Sequence, residues 1–187
     1  THMESFHSLS GKTVVLGVCG SIAAYRSADI ASQLVKMGAS VHVVMSPGAT
    51  RFITPLTLQT LSRNPVVTSD ASDESNWIPV HIALADSADL LLIAPASANV
   101  IAELANGLAS HPLTEIALAA RCPVLIAPAM NGKMWNHPAT VANRNKLSEQ
   151  GALFIGPSSG LLACGYEGEG RLSDVTEILC AVQQCFV

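Results

Sequence analysis

Charge is scarce in this chain. Only 13% of its 187 residues are Asp, Glu, Lys or Arg, against 49% hydrophobic residues, a low share for a surface that faces water everywhere. Buried contacts between copies would account for it, so a homo-oligomer is expected. The net charge is -4 and the Lys and Arg residues form no cluster, which argues against nucleic acid and against a membrane surface as partner. No apolar run approaches the roughly 18 residues of a membrane span, and no signal-peptide pattern opens the chain; the expected location is the cytoplasm. The five cysteines, Cys19, Cys122, Cys164, Cys180 and Cys185, are odd in number and form no C-x-x-C pair, which excludes a full disulfide framework and suits a reducing compartment. The six histidines show no H-E-x-x-H and no Cys/His zinc spacing, so no metal is expected.

What is present is alternation. Thr1, His2 and Met3 read as a cloning scar, residues 1–11 as a flexible N-terminus, and 12–187 as one domain large enough for its own core. Thr13 to Cys19 is a β-rich run, and apolar spacing predicts a helix from Ala23 to Met37. Val41 to Met45 is a second strand, after which Thr54-Pro55 reads as an N-cap and first helical residue for Leu56 to Leu61. Residues 69–79 are polar and patternless, a surface loop with Trp77 and Ile78 as its anchor. Leu90 to Ala94, bounded by Asp89 and Pro95, reads as a strand buried on both faces and central to a parallel sheet. Helices are expected from about Asn99 to Asn106-Gly107 and from Leu113 to Ala120. Pro123 to Ala127 is a further strand, Pro138 to Gln150 a helix, and Ala152 to Ile155 a last strand. Gly156 to Gly170 is expected to be a long functional loop, and Ser173 to cap a final helix to about Cys185. The alternation gives an α/β three-layer sandwich, Rossmann-like, with a mostly parallel sheet.

In such sheets ligands sit beyond the carboxyl ends of the strands. There Leu90–Ala94 delivers Ser97 and Asn99. The strand from Pro123 ends alike, in Ala-Pro-Ala followed by Met130 and Asn131. Gly17-x-x-Gly20-Ser21 lies between a strand and a helix start, where free N–H groups attract a phosphate; a plain tight turn is the alternative. It is not G-x-G-x-x-G, and strand two ends in Met45-Ser46 with no carboxylate for a ribose, so a mononucleotide is favoured over NAD. Gly11-Lys12-Thr13 imitates a P-loop end, but it precedes a strand and position 6 is Phe. His81 and Asn131 could each simply cap local structure. Cys164, between Ala163 and Gly165 in the Gly-rich stretch, is placed to present a thiol.

Four stretches together carry a resemblance: H-I-A-L-A at 81–85, A-P-A-S-A-N at 94–99, A-P-A-M-N-G-K-M-W at 127–135 and L-A-C-G-Y-E-G-E-G-R at 162–171. In this order they resemble the homo-oligomeric flavin-containing cysteine decarboxylases, nearest to the members acting on phosphopantothenoylcysteine. The resemblance spans Lys12 to Ile178. It implies a flavodoxin-like FMN enzyme, a homotrimer or homododecamer, with flavin bound where subunits meet. By matching position, Gly20, Ser21, Ile22, Ser46, Ser97, Ala98, Asn99 and Ala129 would contact FMN. His81, Asn131 and Cys164 would be catalytic: His81 as base or orienting group, Asn131 holding the substrate carboxylate and amide, and Cys164 donating a proton. Asn131, Met134 and Ala163 would bind substrate.

The implied reaction is decarboxylation of 4'-phosphopantothenoylcysteine to 4'-phosphopantetheine in coenzyme A biosynthesis. A cysteine carboxylate has no electron sink beside it, and oxidation of the thiol to a thioaldehyde creates one, so that loss of carbon dioxide leaves an enethiol. Alternatives are a decarboxylase of peptides ending in cysteine, a non-catalytic flavin-binding regulatory subunit, and a flavin prenyltransferase. Val100 stands where the family usually has Thr, Ser110-His111 where an acidic pair is common, and Asp86 near a usual basic residue. Many bacterial members carry a fused synthetase domain beyond this one, so the ligase step is expected to reside elsewhere.

Overall fold

The computed structural model describes residues 8–69, 80–161, 165 and 167–187. Five parallel strands, β1 (Thr13–Val18), β2 (Ser40–Met45), β3 (Leu90–Ala96), β4 (Val124–Pro128) and β5 (Leu153–Phe154), form one sheet in the order β2-β1-β3-β4-β5. β3 is central, as its run of apolar residues requires. Leu90, Leu91, Leu92 and Ile93 are each fully buried, and each such side chain stabilises the fold by about 1.5–3 kcal/mol.

The period-2 alternation of the strands feeds two cores. Val14, Leu16, Leu90 and Leu92 face one layer, with Ile30 and Leu34 of α1 (Arg26–Lys36), Leu58 of α2 (Pro55–Ser62) and Ile178 of α8 (Val175–Gln184). Val15, Leu91 and Ile93 face the other, with Leu84 of α3 (Val80–Ser87), Ile101 of α4 (Ala98–Ala105), Leu113 and Ile116 of α5 (Pro112–Ala119) and Leu147 of α7 (Pro138–Glu149). This is the expected three-layer sandwich. Leu9 is also buried, and its N–H donates to the Met37 carbonyl at 2.7 Å, so residues ahead of Lys12 pack against the turn that follows α1.

Three local expectations are corrected. The helix after Ser21 opens as a 3-10 turn, Ile22–Tyr25, before α1 begins. Asp174, not Ser173, caps α8; Glu177 three residues on completes a capping box, which Ser173 has no partner to form. The stretch from Gly156 to Gly170 is not all loop: β6 (Ser158–Leu161) pairs antiparallel with β7 (Glu167–Arg171). Trp77, Ile78, Ala163 and Cys164 lie outside the described residues.

Candidate active site

The order β2-β1-β3 reverses the direction of winding between β1 and β3, and a crevice opens at such a switch point. Two turns leave the strands there. Ser21 caps the 3-10 turn, its Oγ accepting from the Ala23 N–H at 3.2 Å. Ser97 caps α4, its Oγ accepting from the Val100 N–H at 3.2 Å. Gly20 has to be glycine, because a Cβ there would lie 2.9 Å from the Gly48 carbonyl carbon. These turns form one wall of a cavity of about 530 Å3, within the roughly 300–1,000 Å3 of small-molecule sites.

The opposite wall is built at the end of β4. Asn131 caps the four-residue α6 (Gly132–Trp135), its Oδ1 accepting from the Lys133 N–H at 2.9 Å. β7 is pressed against this turn: the Met130 N–H donates to the Gly170 carbonyl at 2.9 Å. A Cβ at Gly132 would lie 2.5 Å from the Glu169 carbonyl oxygen, and one at Gly170 would run into the Met130 carbonyl. Buried Trp135 backs α6, with the Arg144 guanidinium 4.2 Å from its ring centroid. Ile22, Tyr25, Met134 and Leu161 line the cavity yet are at least half exposed, an apolar rim with room for a covering surface. Among the described residues no cluster of His, Cys, Asp and Glu could hold a metal ion, and no helix is long and apolar enough to cross a membrane.

A family model described as Flavoprotein matches residues 2–187. The chain belongs to the flavoprotein family. It is 46% identical over 175 residues to the probable phosphopantothenoylcysteine decarboxylase of Streptococcus mutans, covering 92% of this chain and 98% of that protein. It is 47% identical over 178 residues to the coenzyme A biosynthesis bifunctional protein CoaBC of Bacillus subtilis, covering 95% of this chain. The chain spans only 44% of that bifunctional relative's length. Among solved structures, the FMN-dependent cysteine decarboxylase SpaF superposes with a TM-score of 0.83 at 32% identity, over 96% of this chain and 100% of that one. The resemblance carried by the four motifs is thereby borne out, as is the flavodoxin-like fold.

In this flavoprotein the cavity brings together Gly20, Ser21, Ile22, Ser97, Ala98, Ala129, Asn131 and Met134. Three expected contacts stand apart from its lining. Ser46 is buried beside the end of β1, its N–H donating to the Val18 carbonyl at 2.9 Å, and Asn99 is exposed in the first turn of α4. His81 lies in the first turn of α3, its Nδ1 3.4 Å from Glu115 Oε2. Only Ala88 and Asp89 separate α3 from β3, so the helix runs back along the strand and its first turn rises toward the sheet's carboxyl end. His81 thus sits at the correct end of the sheet, on the flank formed by α3 and α5.

Two of the three positions noted as departures, Val100 and Ser110-His111, have structural roles. Val100 is buried in the core beside its Ser97 cap. His111 is buried with Nε2 3.1 Å from Glu103 Oε2, and the Ser110 hydroxyl donates to the other carboxylate oxygen at 3.0 Å; the pair ties α5 to α4. Behind Ser97, burial pushes the Cys19 thiol up to about 12, so it is a core thiol. Sequence reading missed Tyr25, Arg26, Gly170 and Arg171 in the lining. The position of Arg26, a few residues after Gly20-Ser21, was the available signal for the first two.

Proposed function

We propose that this flavoprotein binds FMN in the cavity at the β1/β3 switch point and decarboxylates phosphopantothenoylcysteine to phosphopantetheine, a step of coenzyme A biosynthesis carried out in the cytoplasm. The observation that carries the reading is one cavity bounded by the two capped turns at Ser21 and Ser97 on one side and by Asn131 and Met134 on the other. The likeness to the Streptococcus mutans and Bacillus subtilis proteins supplies the substrate, and the likeness to SpaF the cofactor.

The residues present fit a flavin mononucleotide. The Gly20 turn admits a phosphate close to backbone, and the Ser97-capped start of α4 offers N–H groups and the positive end of a helix dipole. Ala98 and Ala129 leave room for a flat ring. Gly20, Ser21, Ile22, Ser97, Ala98 and Ala129 would hold the cofactor, with Ser46 and Asn99 at its margins. When bound, FMN supplies a reversible two-electron acceptor, the sink that a cysteine carboxylate lacks.

The chain's own groups do the rest. Asn131 holds the substrate carboxylate and amide, its own orientation fixed by the Lys133 N–H bond. Met134 gives the substrate an apolar wall. His81 serves as base or orienting group, steadied by Glu115. Cys164 is assigned the proton donor. Because His81 stands off the cavity of its own chain, the reading includes a second copy that completes the site, in a homotrimer or homododecamer. The low charge content and the exposed rim of Ile22, Tyr25, Met134 and Leu161 support that assembly.

Mass spectrometry of the flavin-loaded protein with phosphopantothenoylcysteine tests the reading. The expected result is loss of one carbon dioxide, abolished in His81→Asn with flavin retained. An intact substrate overturns the assignment, and turnover of a peptide ending in cysteine instead would identify that substrate class. Light scattering checks the assembly; a monomer carrying full activity would sink the shared site.

A further inference from the structure

Among the described residues that line the cavity, Arg26 and Arg171 are the only charged ones, and both are cations. They come from separate elements, the first residue of α1 and the last of β7. Asp174, the cap of α8, gathers them. A single oxygen of its carboxylate lies 3.8 Å from Arg26 Nη2 and 3.4 Å from Arg171 Nη2. Neither Asp174 nor Glu177, whose carboxylate accepts from the Asp174 N–H at 3.2 Å, belongs to the lining, so the lining's own charge is positive. Each guanidinium carries five N–H donors in a rigid fork, and the Asp174 contact occupies one nitrogen of each. Arg26 also stacks at 5.7 Å over the Tyr25 ring. Arg171 follows Gly170, whose carbonyl is pinned by the Met130 N–H, so its backbone is fixed to the same turn that presents Asn131.

Two preorganised guanidiniums suit a dianion with tetrahedral oxygens, because the fork matches phosphate in a bidentate way. A peptide ending in cysteine offers one obligatory anion, its terminal carboxylate, which the reading above gives to Asn131. The phosphorylated substrate offers a second anion at its far end. We propose that Arg26 and Arg171, oriented by Asp174, form the subsite for the substrate's phosphate monoester and select the phosphorylated substrate over unphosphorylated ones. The inference rests on the decarboxylase reading and deepens it.

The test compares phosphopantothenoylcysteine with its dephosphorylated form, using flavin-loaded wild type, Arg26→Gln, Arg171→Gln and Arg171→Lys. For either Gln variant KM for the phosphorylated substrate should rise about 10- to 100-fold, the loss of a charge-assisted hydrogen bond. kcat, KM for the dephosphorylated form and flavin absorbance per chain should stay near wild type, and Arg171→Lys should recover part of the loss. If KM rises equally for both substrates, the arginines serve the carboxylate or the fold and the phosphate subsite is wrong. If the Gln variants lose flavin instead, the arginines hold the cofactor's phosphate, which also overturns it. Wild type turning over both substrates with equal KM removes the subsite and leaves the decarboxylase reading standing; wild type turning over neither removes both.

Discussion

The ends of β3 and β4 carry the same words and do different work. Each strand closes in Ala-Pro-Ala, they are neighbours in the sheet, and the Ala129 N–H donates to the Ala96 carbonyl at 3.0 Å. After β3, Ser97 caps an eight-residue helix anchored by buried Val100, Ile101 and Ala105. After β4, Asn131 caps a helix of only four residues, and a separate hairpin strand leans on it through Gly132 and Gly170. The first end is held by its own helix packing into the core. The second is held by tertiary contact, so a residue distant in sequence fixes the turn that carries Asn131. The proposed division of labour, cofactor at the first end and substrate at the second, follows this difference in support.

Removing the polar residue at the β4 end has the largest expected effect. Asn131→Ala is expected to lower kcat about 100- to 1,000-fold, the scale on which one positioned hydrogen-bonding group acts in catalysis, while flavin absorbance per chain is retained. Steady-state kinetics beside a visible spectrum decide it; loss of flavin would merge the two ends into one function. Next in size is the backbone seat of β7. Gly170 sits at φ 139 against the Met130 carbonyl, so Gly170→Ala is expected to cost about 2–4 kcal/mol, from a strained dihedral plus a backbone clash. Gly107, past α4 at φ 66 with open space around it, should lose only about 1 kcal/mol as Gly107→Ala. Urea unfolding of both variants measures the gap, and equal losses would show that the β4 end needs no such support.

The same contrast explains what could be read from the chain. The run Leu90 to Ala94 announces a strand buried on both faces because every residue in it is apolar, and all of β3 is buried. Ser97 was legible as a polar side chain at a strand end, though the helix was expected from about Asn99 and Ser97 proves to be its cap. The β6–β7 pair was not: glycines at 160, 168 and 170 interrupt any alternation, and Gly is a poor strand former. Its strands exist through pairing of Leu161 with Glu167 and Ser158 with Arg171 and through the seat at Gly132, none of which is local. Arg26 and Arg171 likewise stand far apart in sequence, and only the folded chain, through the cavity lining and Asp174, brings them to one corner. His81 was legible as a residue of interest or as a cap, but the helix α3 that carries it was not predicted, and its pairing with Glu115 depends on how α3 meets α5. Asp174 as the cap of α8 was readable after all, since Glu177 completes the box.

A smaller effect is expected on the cofactor side. Ser97→Ala removes one cap bond and should cost about 1 kcal/mol of stability. Its functional signature should be the opposite of that at Asn131: weaker flavin retention on dialysis, with turnover restored by added FMN. A variant that keeps its flavin yet stays inactive would place Ser97 on the substrate side.

The smallest effect concerns Cys19, packed behind Ser97. Its thiol is pushed up to about 12 from an ordinary 9.0, chiefly by burial. A folded-state value above the unfolded one means that the native chain holds its proton where the unfolded chain has lost it. The stability contributed is therefore complete below about pH 9 and drains away as pH rises toward 12. Denaturant unfolding of the wild type between those limits should show this decline, and Cys19→Ala should lack that component of the slope. At pH 8 the native thiol should resist alkylation that modifies it in the unfolded chain, whereas the half-buried Cys122 and Cys185 should react slowly in the native chain and as readily as Cys19 in the unfolded one. Rapid alkylation of native Cys19 would mean that the wall behind Ser97 opens to solvent, and with it that the β3 end is held less firmly by its own helix than the packing of Val100 and Ile101 requires.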